Sequence, residues 1–402
     1  MRYLRGALAC LHYRLLGPFP VLGSRSDLAP LITWRSSLPF SLDWCRFPAW
    51  GFMPASRMVD RLVVTVIAWC CVITFTGCAS RDPRTGSEVA AGVAMAWASR
   101  EENAFFALFD KTARSRAAQL WQSTDGVQIT SVDPIDDQQW HITWSVPATR
   151  ASTRSVVRPV LNCDRDCALV DLVQSPDQPA PIWVLGQVMI SIDANVVVLD
   201  ATAGGRVPAL AEAARSRLSQ SGVPLLDMTE SIIVEVPATA GQFEQMMAAP
   251  ALDFRSSGGL TWTAGSLTTP ALQHIVLNPQ TTDSAVDAQL EHLITHEMVH
   301  ASTAYLQVGS GRQWVSEGLA EHLSLAADQA AQRGSVELLA QMCPLATTIV
   351  ADSDFAADNP ARAYAWSTWA VGQIMATDPA SLSGLWQGNT PVPKFDDSLI
   401  CG

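Results

Sequence analysis

Positive charge is scarce in this chain of 402 residues: 26 Lys and Arg stand against 38 Asp and Glu, for a net charge of −12. So acidic a chain argues against nucleic acid or an anionic lipid surface as the main partner, because both call for a basic face. The clear apolar run, Leu62 to Thr76, has 15 residues, short of the roughly 20 that a spanning helix needs. Charged residues make up only 16% and hydrophobic ones 48%, which excludes a disordered or fibrous chain. Residues 1 to 57 lack any sustained period of two or 3.6 and read as no folded element. They form an over-extended N-terminus, with the true start at Met53 or Met58, or an unusually long leader. The charge is also uneven: residues 1 to 78 carry eight Arg against three Asp, a local +5, which leaves −17 on residues 79 to 402.

What the chain does have is concentrated between Glu291 and Ser324, which reads EHLITHEMVHASTAYLQVGSGRQWVSEGLAEHLS. His296-Glu297-Met298-Val299-His300 is an H-E-x-x-H motif. At 3.6 residues per turn, a spacing of four sets both imidazoles on one face, where two ring nitrogens can close on one Zn²⁺ at about 2.0 to 2.1 Å. Glu297 falls about 100° round the helix from His296, so it flanks the metal. There it can take a proton from water and pass it to a leaving amine.

Gly309-Ser310-Gly311 breaks the helical pattern, and Trp314-Val315-Ser316-Glu317-Gly318-Leu319-Ala320-Glu321 starts a second helix from which Glu317 can face the histidine pair. Two imidazoles plus one carboxylate leave a fourth position open for water, the make-up of a catalytic rather than a structural zinc site, with one ion per chain. Glu321 lies four residues beyond Glu317 on the same face, as an outer acceptor for the free ring N–H of a ligating histidine. His292 shares the stripe of His296 and His300. It lacks the glutamate that follows His296, however, and reads as a flanking residue.

These residues resemble the gluzincin metallopeptidases, particularly the bacterial peptidase-MA-like group, over the roughly 35 residues that carry the motifs. The resemblance implies His296, His300 and Glu317 as zinc ligands, Glu297 as general base and Glu321 behind a ligating histidine. Gluzincins commonly draw a Tyr or His from a later helix to stabilise the oxyanion, which implies Tyr364, with Tyr305 and His322 as alternatives. In gluzincins an extended peptide pairs along the strand edge before the zinc helix, which implies that Gly258 to Trp262 or Gln273 to Pro279 holds substrate.

The remainder of the chain places this site. Arg57 and Arg61 flank the apolar run and Phe75-Thr76-Gly77-Cys78 follows it, the layout of an export signal over 58–78. Small residues before a cysteine resemble the bacterial lipobox, with Phe75 where Leu is usual. That implies a diacylated Cys78 and a lipid-anchored, extracytoplasmic protein; an uncleaved signal anchor is the alternative. A tether covers 79–87. Val93, Trp97, Ala104, Phe105 and Leu108 predict one helix over Val89 to Lys111, and alternation in Trp140, Ile142, Trp144 and Val146, then Val156 to Leu161 and Ala168 to Val173, predicts strands. This 88–176 segment is a small α+β module whose layout is similar to NTF2-like accessory domains. Cys163 and Cys167 sit at a hairpin tip and suit a disulfide, leaving Cys343 to pair with Cys401.

Ser175 to Pro181, with three prolines in seven residues, marks the boundary. Beyond it, over 182–402, strands are expected at 188–192, 195–201 and 232–236, helices at 207–220, 325–342 and 361–375, and Ser284 as N-cap of the motif helix with Asp287 at N3. The fold class is α+β: a thermolysin-like gluzincin domain with its zinc-binding helices, preceded by the small module. The implied function is hydrolysis of peptide or protein substrates at the cell envelope. Two alternatives stand beside it: an inactive envelope binding protein with a structural metal site, and a hydrolase of another amide such as a peptidoglycan cross-link.

Overall fold

The computed structural model describes residues 83–401, apart from 137, 147–151, 177, 203, 230, 248–257, 264–272, 307–311, 326–327, 344–349 and 357–359. The leader, the apolar run and Cys78 lie outside the described residues, as does the Gly309-Ser310-Gly311 break.

Helix α1 (Gly86–Ser99) opens on a capping box, Glu88 Oε2 accepting from the Thr85 N–H at 2.7 Å while Thr85 Oγ1 accepts from the Glu88 N–H at 3.3 Å. The spacing predicts that this helix continues to Lys111. Instead it stops at Arg100, which turns into the left-handed region (φ 55°, ψ 38°), and the chain resumes as α2 (Glu102–Phe106). The cause is tertiary: the Arg100 guanidinium donates to the carbonyls of Val127 at 2.7 Å and Thr124 at 3.1 Å. The turn brings the Phe105 ring back to 5.0 Å from that of Trp97, so the apolar spacing is kept while the axis bends.

After α3 (Arg114–Ser123) come β1 (Gln128–Pro134), β2 (Trp140–Ser145), β3 (Thr153–Asn162) and β4 (Ala168–Gln174), an antiparallel sheet in sequence order. Strand β2 alternates buried and half-buried residues, as one face on a core requires. Strand β1 has no clean alternation in the sequence because a register shift between Ile129 and Ser131 interrupts it. Cys163 and Cys167 are bonded at the tip of the β3–β4 hairpin, with Cα atoms 4.0 Å apart.

A short helix, α4 (Ile182–Leu185), leads to β5 (Met189–Asp193), β6 (Val196–Asp200), α5 (Arg206–Gln220), β7 (Ile232–Val236), α6 (Ala240–Met247), β8 (Gly259–Thr263) and β9 (Gln273–Leu277). The second sheet has the order β5-β6-β7-β9-β8, parallel through β6, β7 and β9 and antiparallel at both edges. Its parallel strands are buried along their whole length, which fits their continuous apolar runs: both faces are covered. Val196, Val198, Ile232, Val234 and Ile275 point into the core of α5 and the later helices. Their neighbours Val197, Leu199, Ile233 and Val276 share a second core with Trp97, Trp140 and Trp144 of the first sheet's layer. Segments on either side of Ser175 to Pro181 therefore belong to one compact unit.

Ser284 does not cap the motif helix. Asn278 and Pro279 start an earlier turn, α7 (Pro279–Ser284), with Asn278 Oδ1 accepting from the Gln280 N–H at 3.0 Å, and Ser284 is its last residue. Ala285 is extended (ψ 144°), so α8 (Asp287–Ser302) begins afresh, its Gln289 side chain accepting from the Val286 N–H at 3.3 Å. Next follow α9 (Gln313–Ser324), α10 (Gln329–Ala340), α11 (Ala361–Thr377), α12 (Leu382–Trp386) and α13 (Ser398–Cys401). Helix α10 starts after a fresh cap at Asp328, not at Leu325, because the Asp328 carboxylate accepts from the Ala330 and Ala331 N–H groups. A disulfide joins Cys343, just beyond α10, to Cys401 in α13. The fold is mixed α+β, with α8 packed on β8 and β9 of the mixed sheet and α9 packed on α8 and α11.

Candidate metal centre

Helix α9 is held against α11 by two devices. Trp314, at the start of α9, packs edge-on against Trp366 of α11 with centroids 5.4 Å apart, and Phe395 closes on both rings. Such aromatic pairs are worth about 0.5–1.5 kcal/mol beyond the area they bury. The second device is Gly318: a Cβ there would lie 2.5 Å from the Ser367 carbonyl oxygen and 2.8 Å from Val371 Cγ2. The glycine of the W-x-x-E-G sequence thus lets the α11 backbone touch α9, and it fixes where the adjacent Glu317 stands.

Three side chains converge between the helices. His296 Nε2 and His300 Nε2 are 3.1 Å apart, and Glu317 Oε2 lies 3.4 Å from the first and 3.5 Å from the second. All three are buried, with His296, His300 and Glu317 at 2%, 1% and 0% exposure. A tetrahedral ion with ligand arms of about 2.0–2.1 Å has edges of about 3.3–3.4 Å, and the three measured separations bracket that value. The group can therefore hold a metal ion.

The polar accounting points the same way. A single proton shared by the two nitrogens would satisfy them, yet both Glu317 oxygens are buried with no hydrogen bond. An unsatisfied buried carboxylate is costly, and a bound cation removes that cost. Burial pushes the Glu317 carboxyl up, but the facing His300 and His296 imidazoles outweigh it and hold the group well below the usual carboxylate range.

Each of the two rings is held from behind. His296 Nδ1 lies 3.2 Å from Glu321 Oε2, and His300 Nδ1 lies 3.3 Å from Ser316 Oγ. Burial raises the Glu321 carboxyl, and the His292 and His296 imidazoles more than offset this, bringing it to about 2. An ionised carboxylate only accepts, so His296 carries its proton on Nδ1 and turns a lone pair at Nε2 toward Glu317 and His300.

Glu297 is 2% exposed, and its Oε2 accepts from the Thr261 hydroxyl at 2.7 Å. Thr261 sits on β8, the edge strand of the sheet, so Glu297 and that strand meet directly. Gly259 on the same strand passes so close that a Cβ would lie 3.4 Å from Glu297 Cγ.

Tyr364 on α11 is buried, its ring 6.3 Å from that of His296 and 5.2 Å from Phe355. Tyr305 is half exposed and donates to the Leu225 carbonyl at 3.0 Å. His322 does not join the three converging side chains. Burial lowers its pKa, and it lines a cavity of about 710 Å³ with Arg217, Leu218, Val223 and Met375, none of which belongs to the trio.

Thr261, Ser316 and the bond from His292 to Glu321 are additions that the motifs did not announce. Thr261 is 36 residues from Glu297, and only the strand on which it lies was marked. Compared with known proteins, the chain matches no family model, no curated protein and no solved structure.

Proposed function

We propose that the chain is an exported zinc metallopeptidase of gluzincin type with a thermolysin-like catalytic domain, in which His296, His300 and Glu317 hold zinc and Glu297 is the general base. The observation that carries this reading is the buried trio, whose separations of 3.1, 3.4 and 3.5 Å fit one tetrahedral ion, with a buried carboxylate that makes no hydrogen bond among its members. A donor set of two imidazoles and one carboxylate suits zinc. Zinc, when bound, supplies Lewis-acid polarisation of a carbonyl and makes water more acidic.

This chain's own residues supply the remainder. Glu297, oriented by the Thr261 hydroxyl, takes a proton from the attacking water and gives it to the leaving nitrogen. Tyr364, buried beside His296, is the candidate donor to the developing oxyanion. Strand β8 ends its sheet and offers an edge on which an extended peptide can pair with its backbone. The substrate is a peptide or protein at the cell envelope, reached through a lipid anchor on Cys78, and nucleic acid is not a partner.

The test is metal content by mass spectrometry on the purified chain, with peptide hydrolysis measured in parallel. The parent is expected to hold about one zinc. Glu317→Ala should lose it, and Glu297→Gln should keep it while losing activity by roughly 10²- to 10⁴-fold. A parent that purifies without metal and cannot be reloaded refutes the enzyme reading and favours a binding protein.

A further inference from the structure

We infer that His292 is a positioning residue of the metal centre: it anchors Glu321, and Glu321 in turn sets the tautomer and orientation of His296. This rests on reading His296, His300 and Glu317 as the ligands.

The geometry is a chain of two imidazoles through one oxygen. Glu321 Oε2 lies 3.1 Å from His292 Nε2 and 3.2 Å from His296 Nδ1. His292 and His296 are four residues apart on α8, so the two rings share one face and reach the same carboxylate of α9. His292 is 9% exposed and Glu321 4%. Because the oxygen is an acceptor only, both nitrogens must donate, which places the protons on His292 Nε2 and His296 Nδ1. The lone pair left on His296 Nε2 is the one directed at His300 and Glu317.

A carboxylate on a flexible stem that receives one hydrogen bond can swing. Received from two sides, it is fixed. Removing the His292 donor frees Glu321 to rotate, and His296 then loses the partner that selects its tautomer. Outer partners of ligating histidines typically contribute 10- to 100-fold to metal affinity, and the structure extends that dependence one residue further back. An apolar filler in place of His292 would preserve the packing and lose the donor; glutamine would preserve a donor at similar reach.

The experiment measures zinc affinity of the full chain by competition with a chromophoric chelator, zinc alone being the probe. Alongside it, long-range ¹H–¹⁵N correlation spectra of the histidine rings are recorded in metal-free protein in mildly alkaline buffer. Parent, His292→Leu, His292→Gln and Glu317→Ala are compared. In the parent, His292 should appear as the Nε2–H tautomer and His296 as the Nδ1–H tautomer. His292→Leu should weaken zinc binding by about 10- to 100-fold and turn His296 into a mixture of tautomers, while His292→Gln should stay close to the parent in both readouts.

The inference is overturned if the parent shows His292 as Nδ1–H, a result that needs no variant to fold. It is equally overturned if His292→Leu binds zinc as tightly as the parent, or if glutamine is as harmful as leucine. Failure of the underlying reading looks different: zinc absent from the parent, or retained by Glu317→Ala, while the two tautomers stand as described.

Discussion

Two histidine–glutamate clusters lie on opposite faces of the same sheet, and they are built for different ends. On the face away from α8, His274 Nδ1 meets Glu235 Oε2 at 3.0 Å, with the Trp262 ring stacked on the imidazole at 4.4 Å and Trp144 edge-on at 5.9 Å. One donor meets one acceptor, and the pair is closed in by aromatic walls. On the other face His296, His300 and Glu317 bring three ligand atoms together and give the carboxylate no hydrogen bond at all. Burial is the same in both places: His274 is 1% exposed and His300 1%. The lesson is that a buried His–Glu contact is not in itself a site. What separates the two is whether one ring nitrogen meets one carboxylate oxygen at hydrogen-bond distance or three ligand atoms converge where a cation fits.

Breaking the closed pair should have the largest effect on stability. Glu235→Ala leaves a buried histidine without its partner and is expected to lower the unfolding free energy by about 3–5 kcal/mol, while zinc content per folded molecule stays unchanged; denaturant titration with metal analysis checks both. Breaking the open cluster should show the opposite dependence. Stripping zinc with a chelator is expected to remove about 4 kcal/mol from the parent when zinc had been present at a thousand times its Kd, and nothing from Glu317→Ala, as read by thermal scans with and without chelator.

A smaller change sharpens the contrast from outside either cluster. Gly318→Ala puts a methyl where the Ser367 carbonyl already stands, so α9 must shift against α11; overpacking of this kind costs about 1–3 kcal/mol. Here the loss should come with weaker zinc binding, because Glu317 moves with its neighbour, whereas Glu235→Ala leaves zinc affinity alone. The smallest effect is expected at Thr261. Thr261→Val should lower kcat by about tenfold, near 1.4 kcal/mol of barrier, with KM and zinc content held, and Thr261→Ser should restore it by returning the hydroxyl that reaches Glu297.

How legible these features were follows from the distance along the chain over which each is decided. The trio could be read because two of its members are four residues apart on one helix and the third follows in a short motif. Residues 232–236 could be read as a strand at their observed bounds because Ile-Ile-Val-Glu-Val carries its own β-branched signal. Arg100 could not, since the carbonyls that pull it out of the helix lie 24 and 27 residues on. Ser284 failed for a nearer reason: Asn278 and Pro279 cap a turn of their own and use up the chain before the long helix begins. The pairing of Glu235 with His274 and of Thr261 with Glu297 is set by strand order and register, which single-residue patterns do not encode.

The Cys343–Cys401 bond spans 58 residues of sequence, among them α11, which carries Tyr364 and the backbone that touches Gly318. On the proposed peptidase reading, self-cleavage in this segment is the obvious hazard. With the bridge in place, one cut anywhere between the two cysteines severs the backbone without releasing either piece. Such a nicked molecule runs as one species on a non-reducing gel and as two after reduction, and the helix that backs Glu317 stays tied to the rest of the chain.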